Sequence, residues 1–255
     1  MTVLMTSLLR SFAASAAIIL SASAAQSAMD ERCFVPSFLI EAGYPLERVA
    51  ASAKNDGKLP VLIISGSPSQ VGGTKGLRSY PTYLEIALRE QLPGIDVTVE
   101  VRSKARQSVG ESLSALPEAV DQAKPALVIW QVGTVDTFRQ TPPAKFAGDL
   151  QTGIAAIAQG GADTVLLDMQ YSPRTDQLVD YGSYLDAIRE VSEAAKVPLF
   201  DRYEIMRYWN VAGSFDLTAL RNDGLYEKIH VCIGELLADF ILRGSGLKES
   251  KGLGG

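Results

Sequence analysis

Apolar and polar positions along the chain switch repeatedly between a strand period and a helix period. The run Leu59-Pro60-Val61-Leu62-Ile63-Ile64 is continuous and apolar, which predicts a strand buried on both faces. It delivers the small, hydroxyl-rich turn Ser65-Gly66-Ser67-Pro68-Ser69, followed by a loop with glycines at 72, 73 and 76. From 81 to 91 the spacing changes: Tyr83, Leu84, Ala87, Leu88 and Leu92 fall on one face of a helix, and Pro93-Gly94 ends it. The alternation then repeats. Strands are predicted at 95–101, 126–132, 163–169 and 198–202, and helices at 111–123, 144–158, 178–195 and 231–242. A wrapping segment over 29–58 holds a short helix at 46–53 and a polar loop at 54–58. Residues 203–209 read as a short helix that packs aromatics on the sheet edge, and residues 244–255 as a flexible tail that begins to fray at Arg243.

Five strands alternating with helices predict an α/β fold, a doubly wound parallel five-stranded sheet with right-handed crossovers and flavodoxin-like strand order. It occupies one domain, residues 59–243. The chain has 255 residues, of which 47% are hydrophobic, enough for one sizeable core.

The N-terminus carries a separate pattern. Arg10 precedes an apolar run from Phe12 to Leu20 and small residues through Ala28, the layout of a secretory signal peptide over residues 1–28. The run is short for a membrane span, so no span is expected after cleavage, and the mature chain is expected to be periplasmic or secreted. Removal of one Arg and no acid takes the net charge from −5 to −6, which gives no footing for nucleic-acid binding. Export places Cys33 and Cys232 in an oxidising compartment, where two cysteines most simply pair; the alternative is two buried free thiols.

In a sheet of this kind, chemistry belongs just beyond the carboxyl ends of the strands. The sequence offers Gly66-Ser67-Pro68-Ser69, then Arg102-Ser103-Lys104, then Gly133-Thr134-Val135-Asp136, and finally Asp223 through His230. With a single histidine and no clustered acids, no metal-ligand spacing is recognisable, and no cofactor is expected.

Val128-Ile129-Trp130-Gln131-Val132-Gly133-Thr134, Asp168-Met169-Gln170-Tyr171-Ser172-Pro173, Tyr80-Pro81 with Leu84, and Cys232-Ile233-Gly234 together resemble the SGNH (GDSL-type) hydrolase superfamily over most of residues 58–242. The resemblance implies ester hydrolysis by a serine, a histidine base with a nearby acid, and an oxyanion hole. It also places substitutions at the key positions. The nucleophile falls on Pro68, which has neither hydroxyl nor N–H. The oxyanion Asn falls on Val135, and the oxyanion Gly falls near Ser103, whose backbone N–H could serve with that of Gly66. The family's Asp-x-x-His can be laid on Asp223 to Tyr226, losing the histidine, or on Glu227 to His230, keeping it.

Three readings follow. The leading one is an exported family member with a degenerate site that binds an acylated or carbohydrate envelope ligand with little or no turnover. The second is an active esterase or deacetylase with Ser67 or Ser69 as a displaced nucleophile, His230 as base, and Glu227 or Asp223 orienting it. The third is an interaction protein of the envelope with a filled crevice. Arg102, Arg139 and Arg174, with Asp136 and Tyr171, are expected to line a ligand site, and its basic side chains suit an anionic ligand.

Overall fold

The computed structural model describes residues 30–66, 78–218 and 223–248. Five strands, β1 (Lys58–Ser65), β2 (Asp96–Ser103), β3 (Leu127–Gln131), β4 (Asp163–Leu167) and β5 (Leu199–Phe200), form one sheet in the order β2-β1-β3-β4-β5. Every pairing is parallel. This is the doubly wound, flavodoxin-like arrangement that the alternating pattern predicts.

Because successive strand residues point to opposite faces, β1 feeds two cores. Val61 and Ile63 pack with helices α1 (Glu47–Asp56), α2 (Tyr80–Gln91), α9 (Arg202–Ala212) and α10 (Asp223–Gly244). Leu62 and Ile64 pack on the other side with α4 (Leu116–Ala123), α6 (Pro143–Gln159) and α8 (Gly182–Ala195). Helix α10 lies directly against α2. A Cβ on Gly234 would collide with Tyr83 and the Leu84 backbone, so glycine is what lets the two helices approach this closely.

Several boundaries differ from expectation, each for a local reason. The first helix runs on through Asp56, two residues past the start of the expected polar loop at Lys54, and Gly57 closes it in the left-handed conformation. The single helix expected over 111–123 is two: α3 (Val109–Ser112) opens on a Ser108–Glu111 capping box, and α4 restarts with Pro117 in its first turn. The helix expected from 178 begins at Gly182, after the separate turn α7 (Pro173–Asp176). The fifth strand stops at Phe200 because Asp201 caps α9, accepting the Glu204 N–H at 2.9 Å. A five-residue helix after β3, α5 (Thr134–Phe138), has no periodicity of its own in the sequence.

The largest difference is at the last helix, which begins at Asp223 and not at Val231. Its far end is also not frayed at Arg243. Arg243 pairs with Asp239, the Gly244 carbonyl accepts the Leu46 N–H, and Lys248 reaches Asp239 at 2.6 Å. The signal-peptide segment and residues 249–255 of the expected tail lie outside the described residues.

Cys33 and Cys232 form a disulfide across 199 residues of chain, which ties the N-terminal segment to α10. A loop of that length restrains the unfolded chain by about 5 kcal/mol on the chain-entropy model. Among the described residues, no helix is long and apolar enough to cross a membrane.

Candidate functional site

Two polar regions lie at the carboxyl end of the sheet. The first is built around His230 and Tyr80. Ser65 ends β1 opposite Gln131, the last residue of β3. Gln131 Oε1 accepts the hydroxyl of Tyr80 at 3.2 Å. Tyr80 is the first residue of α2, so its backbone N–H has no partner within the helix. That N–H donates instead to His230 Nδ1 at 3.1 Å.

His230 is 2% exposed, with its ring parallel to that of Tyr80 and in contact with that of Tyr226, one helical turn earlier. Burial, reinforced by the charge of Arg202, pushes its pKa down to about 3. The imidazole is therefore neutral at ordinary pH. Because Nδ1 accepts a hydrogen bond, the ring proton sits on Nε2. A base for a serine hydroxyl needs that nitrogen free to accept and a carboxylate behind Nδ1. Neither condition is met.

The acids of the fourth motif point elsewhere. Glu227 accepts the Tyr83 hydroxyl at 2.7 Å, and burial followed by that carboxylate lifts the Tyr83 pKa to about 12. Asp223 is exposed in the first turn of α10. Among the described residues no carboxylate bonds His230. Both registers of the fourth motif lie on one helix, with Tyr226 and His230 in ring contact.

Arg202 completes this region, and sequence reasoning missed it. It sits at 1% exposure and donates to the Asp168 carbonyl at the end of β4. Burial draws its pKa below the usual arginine range. The Asp168 carboxyl is pushed well up by burial and by Asp201, against the opposing Tyr203 N–H at 3.0 Å. An Arg placed one residue after a helix-capping Asp carries no pattern that would announce its burial.

The second region is a small cavity where β1 and β3 meet α3 and α5. Gly133 enters it at φ 92, a left-handed conformation that suits glycine, and the following turn closes through Thr137 Oγ1 on the Gly133 carbonyl at 2.8 Å. Gly66 lies against the carbonyl of Gln107, where a Cβ would collide. Its own carbonyl accepts the Arg106 N–H at 2.9 Å. Val135, at the oxyanion Asn position, turns a methyl group toward Gly66. Asp136 is 1% exposed, with Oδ2 accepting the Val109 N–H at 3.0 Å, and burial raises its pKa despite that bond. It faces inward and not toward an open mouth.

The other expected ligand residues are mostly tied to neighbours at the surface. Ser103 ends β2 and is exposed. Arg102 binds Glu100 and Gln122. Arg139 pairs with Glu111 at 2.8 Å and donates to the Arg106 carbonyl. Tyr171 packs edge-on against Tyr203, and Arg174 is exposed on α7. Arg102 and Glu111, the ion-pair partner of Arg139, line one groove at the end of β2. Ser67, Pro68 and Ser69 lie outside the described residues.

With this geometry in place, known proteins identify the lineage. A model of the non-GDSL lipase-like family matches residues 32–247. The chain belongs to that family. The match takes in Cys33, Cys232 and the packed residues that follow α10, so the disulfide and the α10 end fall within the family unit.

An arylesterase of Vibrio mimicus is 34% identical over 96 residues, which are 38% of this chain and 47% of the relative. The similarity thus spans about half the length of the arylesterase. Among solved structures, TesA superposes with TM-score 0.56 at 20% identity, covering 72% of this chain and 98% of its own. Axe2, an acetylxylan esterase from Geobacillus stearothermophilus, gives 0.56 at 17%, covering 75% and 94%. At such identities these likenesses show the fold. With the family match, they place this non-GDSL lipase-like protein in the SGNH/GDSL hydrolase superfamily, as the sequence motifs imply. Its disulfide is that of a protein matured outside the reducing cytosol.

Proposed function

We propose that this protein is an exported SGNH-family member whose ester-hydrolysis site is degenerate. Its crevice is kept to bind an acylated or carbohydrate ligand of the cell envelope, with little or no turnover. The observation that carries the reading is His230. The only histidine of the chain is buried and neutral, with Nδ1 accepting a backbone N–H and, among the described residues, no acid behind it. Val135 supports it, since a methyl group stands where the superfamily resemblance implies an amide donor. Loss of one such donor costs roughly 10²–10³ in rate. Export is supported by the apolar N-terminal run and the disulfide.

The test is covalent labelling of the mature protein by a fluorophosphonate, read by intact mass beside a His230→Ala control, together with p-nitrophenyl acetate hydrolysis. The expected result is no labelling and no hydrolysis that depends on His230. Labelling at Ser67 or Ser69 that disappears in the control would overturn the reading. The similarity to an arylesterase favours that second reading, an active esterase with a displaced nucleophile. Its activity would have to fall as His230 protonates in acid.

A further inference from the structure

Strand β2 ends the sheet on one side and pairs only with β1. Successive residues of a strand turn their peptide groups to opposite edges. The N–H groups of Asp96 and Lys104 donate to Gly57, just before β1, and to Ser65 at its end. Even-numbered residues of β2 therefore face β1, and odd-numbered ones face outward. At the outer edge the Val97 carbonyl is covered, because Arg89 of α2 donates to it through Nε and Nη2 at 3.0 and 2.9 Å. Beyond Val97 the cover ends. Among the described residues, nothing bonds the N–H and C=O groups of Val99 and Val101 or the N–H of Ser103.

Folded proteins guard a strand edge with lysine, proline, a bulge or a covering element, because a row of unpaired groups accepts another strand. From Val97 to Ser103, β2 has neither lysine nor proline, and its register with β1 runs without a bulge. Val99 and Val101, on the face that packs with α2, are only half-buried. Ile86 of α2, one turn before Arg89 on the same stripe, is 37% exposed. The side chains also say which strand fits. An antiparallel copy of β2 pairs outward-facing residues with outward-facing residues, in registers centred on Val99, Glu100, Val101 or Arg102. The first two need the Val97 carbonyl that Arg89 holds, and the second also sets Glu100 against itself. The last sets Arg102 against itself. Centred on Val101, the pairing leaves Val97 outside, bonds Val99 to Ser103, and sets Glu100 opposite Arg102 twice. Those charges fall at non-hydrogen-bonded positions, where facing side chains come closest and opposite charges attract.

We propose that the β2 edge is a self-association surface. Two copies of the chain pair their β2 strands antiparallel about a twofold axis at Val101, so that both sheets become one continuous sheet. The contact is isologous and closes at the dimer. The opposite end of the sheet offers no equivalent, since β5 is only the two residues Leu199–Phe200. An interface built on so short an edge is small, and the dimer is a reversible one. This assembly is independent of whether the ester-hydrolysis site turns over.

The experiment is sedimentation velocity of the mature protein from micromolar to millimolar concentration, with circular dichroism of each variant to check its fold. A reversible shift from monomer to dimer is expected. Glu100→Arg and Arg102→Glu should each weaken the dimer about tenfold, because each turns two attractive cross-strand pairs into repulsive ones. The double variant exchanges the charges and should recover the parent's dimerisation. A second measurement reads the register by cysteine cross-linking in a glutathione redox buffer. Val101→Cys should give a disulfide-linked dimer, since facing residues at the axis stand about 5.5 Å apart at Cα, within disulfide range. Thr98→Cys, which meets Lys104 of the second copy, should not. A monomer at every concentration would overturn the proposal. So would a dimer indifferent to the single reversals, a double variant that stays monomeric, or cross-linking of Thr98→Cys as readily as of Val101→Cys.

Discussion

The two polar regions at the head of the sheet are neighbours that share Ser65 and Gln131, yet they are built differently. Around His230, Tyr80 and Gln131, named donors meet named acceptors, and the rings stack against one another. Around Thr134 and Asp136, two oxygens are buried without partners among the described residues. A satisfied buried network rigidifies a fold, while unsatisfied atoms weaken it. The comparison therefore separates a cluster whose hydrogen bonds close within the fold from a small cavity at the strand ends. Histidine draws the eye as a catalytic residue, but here it belongs to the cluster.

The strongest way to break this division is to cut what holds α10 in place. Replacement of Cys232 by Ser should destabilise the protein by about 5 kcal/mol on the loop-entropy model, read as a shift of the urea midpoint. If α10 and the His230 cluster were independent of the disulfide, the midpoint would hardly move.

A smaller effect is expected at His230 itself. His230→Ala should cost about 2–4 kcal/mol through the cavity it leaves, read as a shift of the thermal midpoint. Its pH signature sharpens the contrast. The unfolded imidazole protonates near its usual value of 6.5 and the folded one only near 3. The unfolded state thus binds more protons between those values, and stability present above about pH 6.5 is lost as pH falls toward 3. Asp136 has the opposite sign, since its raised folded pKa makes the native state bind its proton more tightly and adds stability on acidification. Stability curves against pH should therefore lose their acid slope in His230→Gln and become steeper in acid in Asp136→Asn. Identical slopes in parent and variants would remove the electrostatic distinction between the regions.

The smallest effect belongs to the outer charges. Arg139→Ala breaks an ion pair whose partners are about half exposed, and should shift stability by no more than about 0.5–1 kcal/mol. A larger loss, measured by thermal melting, would bring the rim into the stability account.

The fold was legible because a parallel strand covered on both faces carries an unbroken run such as Val61–Ile64, which a half-exposed strand would interrupt with polar residues. Helix ends were less legible. The capping box at Ser108 and the Asp201 cap depend on single polar side chains, and these do not disturb the apolar period. Candidate chemistry was legible only as residue types in motif order. The sequence named His230, Val135 and Asp136, but it could not say that His230 would accept a hydrogen bond from Tyr80, 150 residues away.

What the sequence by itself determined is therefore the α/β class, the strand order, the pairing of two cysteines and the superfamily, because each follows from local periodicity or from residue types in a fixed order. Tertiary structure decided which polar groups are satisfied. A ring nitrogen is a base or an acceptor, and a hydroxyl a structural bond or an open one, according to what the fold places within about 3 Å of it. That distance is set by how α2 and α10 meet and how α5 turns under β3. No local stretch of the chain contains that information.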